Sequence, residues 1–238
     1  MNENNNLKTK DSPISVIVPT FNHEAYIGNM VKNLFEHSHQ CIDEVIICDM
    51  GSKDDTMYFA LQAGAKILTP DTNSMVDLLN HGAAFATGKL LLFLHPQTIV
   101  PKSFAQDIIA ATENGYDLGC YKLTFLSKQL PNILQSYMSM SYQTWCRNFH
   151  QGMFIKKEVF DALDGFSYSR DQYALWHLYM SAASKKYKFG IFNAATQFSQ
   201  IQNATKLPSI AKLYKSYKAQ RENKPLPTMT FLDKFYLF

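Results

Sequence analysis

The sequence has no Cys-x-x-Cys pair, no apolar run long enough to cross a bilayer, and only three arginines among its 238 residues. Each shortage removes a class of protein. The four cysteines, Cys41, Cys48, Cys120 and Cys146, sit mostly in apolar surroundings, as buried free thiols do. That pattern suits a reducing compartment better than a disulfide framework. The longest aliphatic run, residues 90–94, falls far short of the roughly 20 residues that span a membrane. The N-terminal stretch Met1-Asn2-Glu3-Asn4-Asn5-Asn6 is polar and lacks the apolar segment of a secretory leader, so a cytoplasmic chain is expected. Arg147, Arg170 and Arg221 are few for planar, bidentate reading of bases, and no nucleic-acid partner is expected. Neither a Gly-x-Gly-x-x-Gly turn nor a Gly-x-x-x-x-Gly-Lys-Ser/Thr loop occurs, which argues against dinucleotide enzymes and P-loop phosphotransferases.

What is present is apolar bulk. Hydrophobic residues make up 46% of the chain, with 17 Phe and 13 Tyr. A chain of this length can bury about 70% of its unfolded surface, so one large domain, or one domain with a tail, needs no staples. The net charge of +3 is unevenly spread. Residues 185–238 carry ten Lys or Arg against two acids, whereas residues 1–184 carry thirteen against eighteen. A basic end on an acidic body suits contact with phosphate, on nucleic acid (which the few arginines disfavour) or at a membrane surface, or else a solvated lysine-rich helix.

Local patterning predicts alternation. Ile14-Ser15-Val16-Ile17-Val18 reads as a strand, and residues 25–37 as a helix with Tyr26, Met30, Val31, Leu34 and Phe35 on one stripe. Val45-Ile46-Ile47-Cys48 is a second strand. Ser52, followed by Asp54 and Asp55, is expected to open a helix carrying Met57, Phe59, Ala60 and Leu61. A short strand at 65–68, a helix at 74–86 stopped near Gly88, a strand at 90–94 and a helix from Pro101 to about residue 114 follow. This is a doubly wound, mostly parallel α/β sheet with right-handed crossovers. Beyond Asp117 the pattern predicts strands at 118–126, 153–155 and 188–192, and helices at 131–142 and 171–186. A basic helix at 209–220 and an aromatic end at 231–238 complete the chain. The expected division is a domain over 13–192 and a basic helical and aromatic extension over 193–238.

In an open parallel sheet, ligands bind outside the carboxyl ends of the strands. Those ends here are Pro19-Thr20-Phe21-Asn22, Asp49-Met50-Gly51-Ser52 and His95-Pro96-Gln97-Thr98. An aromatic ring, a carboxylate and a polar cluster on adjacent loops could hold a base, a ribose and a diphosphate. Residues 15–22, residues 46–56, Asn80-His81-Gly82, Ala86-Thr87-Gly88 and residues 91–95 resemble, in order and spacing, the first half of family 2 glycosyltransferases. His150-Gln151-Gly152-Met153-Phe154, Gly165-Phe166 and Asp171-Gln172-Tyr173-Ala174-Leu175-Trp176 resemble the acceptor half.

The resemblance implies a GT-A fold that binds a nucleotide-diphosphate sugar, a UDP-sugar above all, and transfers the sugar with inversion. The acceptor would be a glycan, a lipid-linked or a small molecule, as in polysaccharide biosynthesis, with peripheral contact at the inner face of the membrane through the basic end. Carried over by position, Pro19, Thr20, Phe21, Asn22, Asp49 and Ser52 surround the nucleotide, with Phe21 against the base and Asp49 accepting from it. Asn73, Asn80, His95 and Gln97 complete the donor site. The family's fourth strand ends in Asp-x-Asp, whose carboxylates help hold Mn2+ or Mg2+ on the diphosphate. This chain has His95-Pro96-Gln97, which leaves His95 as candidate ligand for manganese or for a phosphate oxygen. The acceptor's base falls on Gln172, or on Asp171 one residue earlier, with His150 as a third candidate. An amide cannot take a proton, so the alternative is a nucleotide-sugar binder that serves as partner or scaffold.

Overall fold

Short apolar runs alternate with one-sided helices, and the computed structural model, which describes residues 14–125, 136, 139–140, 151–167 and 174–198, folds them into one layered sheet. The first half contains β1 (Ile14–Thr20), α1 (Glu24–Glu36), β2 (Ile42–Asp49), α2 (Thr56–Gln62), β3 (Lys66–Leu68), α3 (Met75–Phe85) and β4 (Leu90–Phe93). Then come β5 (Thr98–Ile99), α4 (Phe104–Glu113), β6 (Leu118–Phe125), β7 (Met153–Lys156), α5 (Lys157–Ala162), α6 (Ala174–Ser184) and β8 (Phe189–Phe198). The eight strands lie in the order β3-β2-β1-β4-β7-β6-β8-β5. The pairs β1–β2, β1–β4, β2–β3 and β6–β8 are parallel, so only β7 and β5 run against the rest.

Alternation of side chains along each strand decides which helices cover which face. Ile17, Ile46, Cys48, Leu91 and Phe93 face α3, α5 and α6. Val16, Val18, Val45, Ile47, Leu90 and Leu92 face α1, α4 and Ala60 of α2. Both faces are covered, which is why these strands read as unbroken apolar runs. At Gly82, a Cβ would stand 2.7 Å from both the Cys48 sulfur and Ile17 Cγ2, so only glycine lets α3 lie this close on β1 and β2.

The sheet cannot be flat. Only residues 94–97 separate β4 from β5, yet four strand spacings lie between them in the sheet order. A flat sheet would place them about 19 Å apart, while five extended steps reach at most roughly 18 Å. A turn closed by the Thr98 amide on the His95 carbonyl, at 2.9 Å, shortens the reach further. The outer strands therefore bend back toward β4, and the register between Tyr121 and Lys122 is irregular.

Several boundaries differ from those expected. The second helix begins at Thr56, because Ser52 is engaged by Asp49 and Asn22 while Asp54 accepts from the Thr56 amide at 3.1 Å. Its Phe59 and Leu61 are 41% and 56% exposed. Pro101 precedes α4 in a turn, its carbonyl accepting from the Phe104 amide at 3.0 Å. Strands β5 and helix α5 had no clear signal, being two and six residues long. The last strand runs on to Phe198, where β6 and β5 continue to pair with it. The helices expected at 131–142 and 209–220 and the end at 231–238 lie outside the described residues. No helix among the described residues is long and apolar enough to cross a membrane.

Candidate functional site

Because β1, β2 and β4 are parallel neighbours, the loops that follow them leave from one rim. Thr20 and Asp49 are register partners at that rim, both buried. The Asp49 carboxylate folds back on its own loop, accepting from the amides of Gly51 at 2.9 Å and Ser52 at 2.8 Å, and from the Ser52 hydroxyl. This is the turn chemistry that Asp favours, and Gly51 completes it at a φ of 86°. A carboxylate offers about four acceptor positions, so capacity for one further donor remains.

The neighbouring loop is tied to it. The Asn22 amide donates to the Ser52 hydroxyl at 2.8 Å, and Asn22 Oδ1 accepts from the Lys53 amide at 2.8 Å. Asn22 takes a φ of 55°, a left-handed conformation that Asn tolerates better than most residues. The turn presents Phe21 half-buried beside Pro19 and Thr20 at the end of β1. Two further ties join the same loops: the His23 amide donates to Thr56 Oγ1 at 2.7 Å, and the Asp55 amide to Glu24 Oε2 at 3.0 Å.

After β4, His95 is buried and Gln97 half-buried, with the Gln97 amide donating to His95 Nδ1 at 3.2 Å. The His95 ring meets that of His23 edge-on, centroids 5.6 Å apart at 90°. No motif marks His23. The one available signal is its position, directly after the Pro19–Asn22 turn on the ligand-binding rim. Burial holds its imidazole below the usual histidine range, opposed only in part by the charge of Asp54, by the Phe21 backbone and by the charge of Asp49. Burial also acts on Asp54, but hydrogen bonds from Thr56 and the Glu24 amide outweigh it and keep that carboxyl low.

The remaining sequence-predicted residues divide. Asn73 is exposed in the loop before α3, where Ser74 caps the helix by accepting from the Asp77 amide at 3.2 Å. Asn80 is clasped by a distant backbone, its amide donating to the Phe166 carbonyl and its oxygen accepting from the Phe166 amide, both at 2.9 Å. It thereby fixes Gly165-Phe166, the segment that leads toward Asp171 and Gln172. Asp171, Gln172 and His150 lie outside the described residues. Gln151, next to His150, is fully buried and donates to the carbonyls of Tyr121 and Ser139 at 3.1 Å.

At the opposite end of the strands, Thr87 and Gly88 have a different use. Buried Glu44 accepts from Ser15 at 2.6 Å, from the Thr87 amide and hydroxyl at 2.7 and 2.8 Å, and pairs with Lys66 at 2.6 Å. Burial alone would raise its carboxyl, yet these partners hold it at about 2. Among the described residues, no three His, Cys, Asp or Glu side chains are grouped to hold a metal ion. Of the described rim residues, His95 is the imidazole that could meet a cation held on a bound diphosphate.

A helix-covered sheet whose carboxyl rim joins an aromatic loop, a turn-locked carboxylate and a polar third loop agrees with the GT-A fold, which the solved structures named below share. The chain belongs to glycosyl transferase family 2, whose sequence profile matches residues 15–174. The glucosyl-3-phosphoglycerate synthase of Mycolicibacterium smegmatis is 29% identical over 96 residues, which cover 37% of this chain and 32% of that protein. The same enzyme from Mycobacterium tuberculosis is 28% identical over a stretch of 96 residues. The chain thus matches about a third of the length of these relatives. In three dimensions it resembles the Mycobacterium tuberculosis synthase crystallised with Mn2+, UDP and glucosyl-3-phosphoglycerate, with a TM-score of 0.66 at 15% identity. That likeness covers 91% of this chain and 82% of the other. The complex of that synthase with Mn2+, UDP-glucose and phosphoglyceric acid gives 0.66 at 16% identity, with the same coverage. Another crystal structure of the synthase holds Mg2+ and UDP.

Proposed function

We propose that this chain transfers a hexose from a UDP-sugar to a small-molecule, glycan or lipid-linked acceptor, with inversion at the anomeric carbon. One observation carries the reading: Asn22, Ser52 and Asp49 lock the β1 and β2 loops together at the rim of a family 2 domain. In this reading the Phe21 ring lies against the base and Asp49 accepts from it. Pro19, Thr20, Asn22 and Ser52 shape the nucleoside pocket, Asn73 stands toward the sugar while Asn80 braces the Gly165-Phe166 segment beside it, and His95 and Gln97 meet the diphosphate. A divalent cation supplies positive charge that offsets the charge building on the leaving diphosphate. His95 suits Mn2+ better than Mg2+, since imidazole is the softer ligand. Asp171, Gln172 and His150 are the candidates beside the acceptor, of which Asp171 and His150 can take its proton.

The relatives point to UDP-glucose as the first donor and phosphoglycerate as the first acceptor to try. The test is UDP release by the full chain across UDP-sugars and acceptors in Mn2+, with Asp171→Asn as the control that loses it. Silence across all donors from a sample that binds UDP overturns transfer. Gln97 and Gln172, which replace expected carboxylates, favour a second reading in which the chain binds the donor without turning it over. That version predicts stabilisation by UDP equal with and without Mn2+. The basic residues of 203–238 favour work at an anionic surface. Their deletion then releases the chain from anionic vesicles, and unchanged binding removes that contact.

A further inference from the structure

His23 bridges several loops of the rim. Its Nδ1 lies 3.4 Å from both the Phe21 amide nitrogen and the Thr20 hydroxyl. Its ring stands edge-on to His95, and its own amide reaches Thr56 on the β2 side. One residue therefore touches the loops after β1, β2 and β4. The two halves of this arrangement use different atoms. The Phe21 amide needs an acceptor at Nδ1, which puts the proton of the neutral ring on Nε2. The contact with His95 needs the body of the ring.

We propose that His23 is a positioning residue for the donor, coupling the loop that carries Phe21 to the loop that carries His95. The base end and the diphosphate end of the nucleotide are then set against each other by a single imidazole. This inference rests on the nucleotide-sugar reading and deepens it, adding a residue that the family motifs do not mark. Substitution separates the two halves. Asn can place its carbonyl oxygen near the Nδ1 position and still accept from Phe21, but it has no ring for His95. Phe keeps the ring and loses the acceptor.

The experiment is calorimetric titration of the full chain, of His23→Asn and of His23→Phe, each with uridine and with UDP in buffer containing Mn2+. Uridine reports the base end alone, whereas UDP reports both ends. His23→Asn is expected to hold uridine within about twofold of the parent and to bind UDP about tenfold more weakly. His23→Phe is expected to weaken uridine and UDP alike. An unchanged ratio of UDP to uridine affinity in His23→Asn, whatever its melting temperature, overturns the inference and leaves the donor site standing. A parent chain that binds neither ligand overturns both. Should His23→Phe fail to fold, the ratio in His23→Asn decides alone.

Discussion

Asp49 and Glu44 are both buried carboxylates on β2, and their surroundings give them different work. Asp49 shapes the rim loop through two backbone amides and the Ser52 hydroxyl. In Asp49→Asn the amide oxygen can keep the Gly51 and Ser52 amides while the NH2 faces the Ser52 hydroxyl, so the turn survives and the charge is lost. UDP affinity is expected to fall at least about tenfold, read by calorimetry, since a lost charge-assisted hydrogen bond alone is worth about 1.5–3 kcal/mol. Glu44 lies at the other end of the strand and holds Ser15, Thr87 and Lys66 together. Its folded value of about 2 lies below the ordinary 4.5, so its contribution is complete above the ordinary value and fades as pH falls toward 2. Glu44→Gln is expected to cost roughly 2–3 kcal/mol near neutral pH. Chemical denaturation at a series of pH values should show the two proteins converging in acid. A constant difference down to low pH would assign the loss to packing instead.

Helix α3 shows how an element is fixed from outside itself. It has no basic residue in its last turn, and Lys157 supplies the charge, donating to the carbonyls of Ala83 and Ala86 at 2.8 and 2.6 Å. Its Gly82 has no room for a methyl group between Cys48 and Ile17. Gly82→Ala should therefore cost about 1–3 kcal/mol through overpacking, a fall of roughly 2–10 °C in Tm at this size. Gly28 in α1 is the matched control, since a Cβ there meets Phe59 at 3.4 Å, an ordinary contact. Gly28→Ala should raise Tm slightly, as Ala favours helix over Gly by about 1 kcal/mol. Equal losses in the two variants would show that α3 does not lie as close to the sheet as described. The clasp between Asn80 and Phe166 belongs to the same helix: Asn80→Ala should lower Tm and loosen the segment beyond Gly165, read as faster amide exchange there.

For the whole molecule, a donor that binds only the folded chain must stabilise it. At a hundredfold excess over Kd, UDP is expected to add about 2.7 kcal/mol, a rise of several degrees, and at one fixed UDP concentration the rise is expected to be larger with Mn2+ than with Mg2+. No rise with either ion in a thermal melt would remove the donor site. Strand and helix order, the fold class and the rim loops were legible because each is local: an apolar run, a one-sided stripe, a Pro19–Asn22 turn, an Asp49–Ser52 turn. The end of β8, the short β5 and α5, and the late start of α2 were not, since pairing partners or competing side-chain hydrogen bonds set them. Local patterning determined a two-faced sheet with polar turns gathered at its carboxyl rim, because hydrophobic period and turn residues act over a few positions. Only the tertiary structure decided that His23 meets His95, that Glu44 serves Thr87 43 residues away, and that Asn80 closes on Phe166 across 86 residues. Such contacts depend on which strands pair and how the helices pack on them, and no neighbouring residue encodes them.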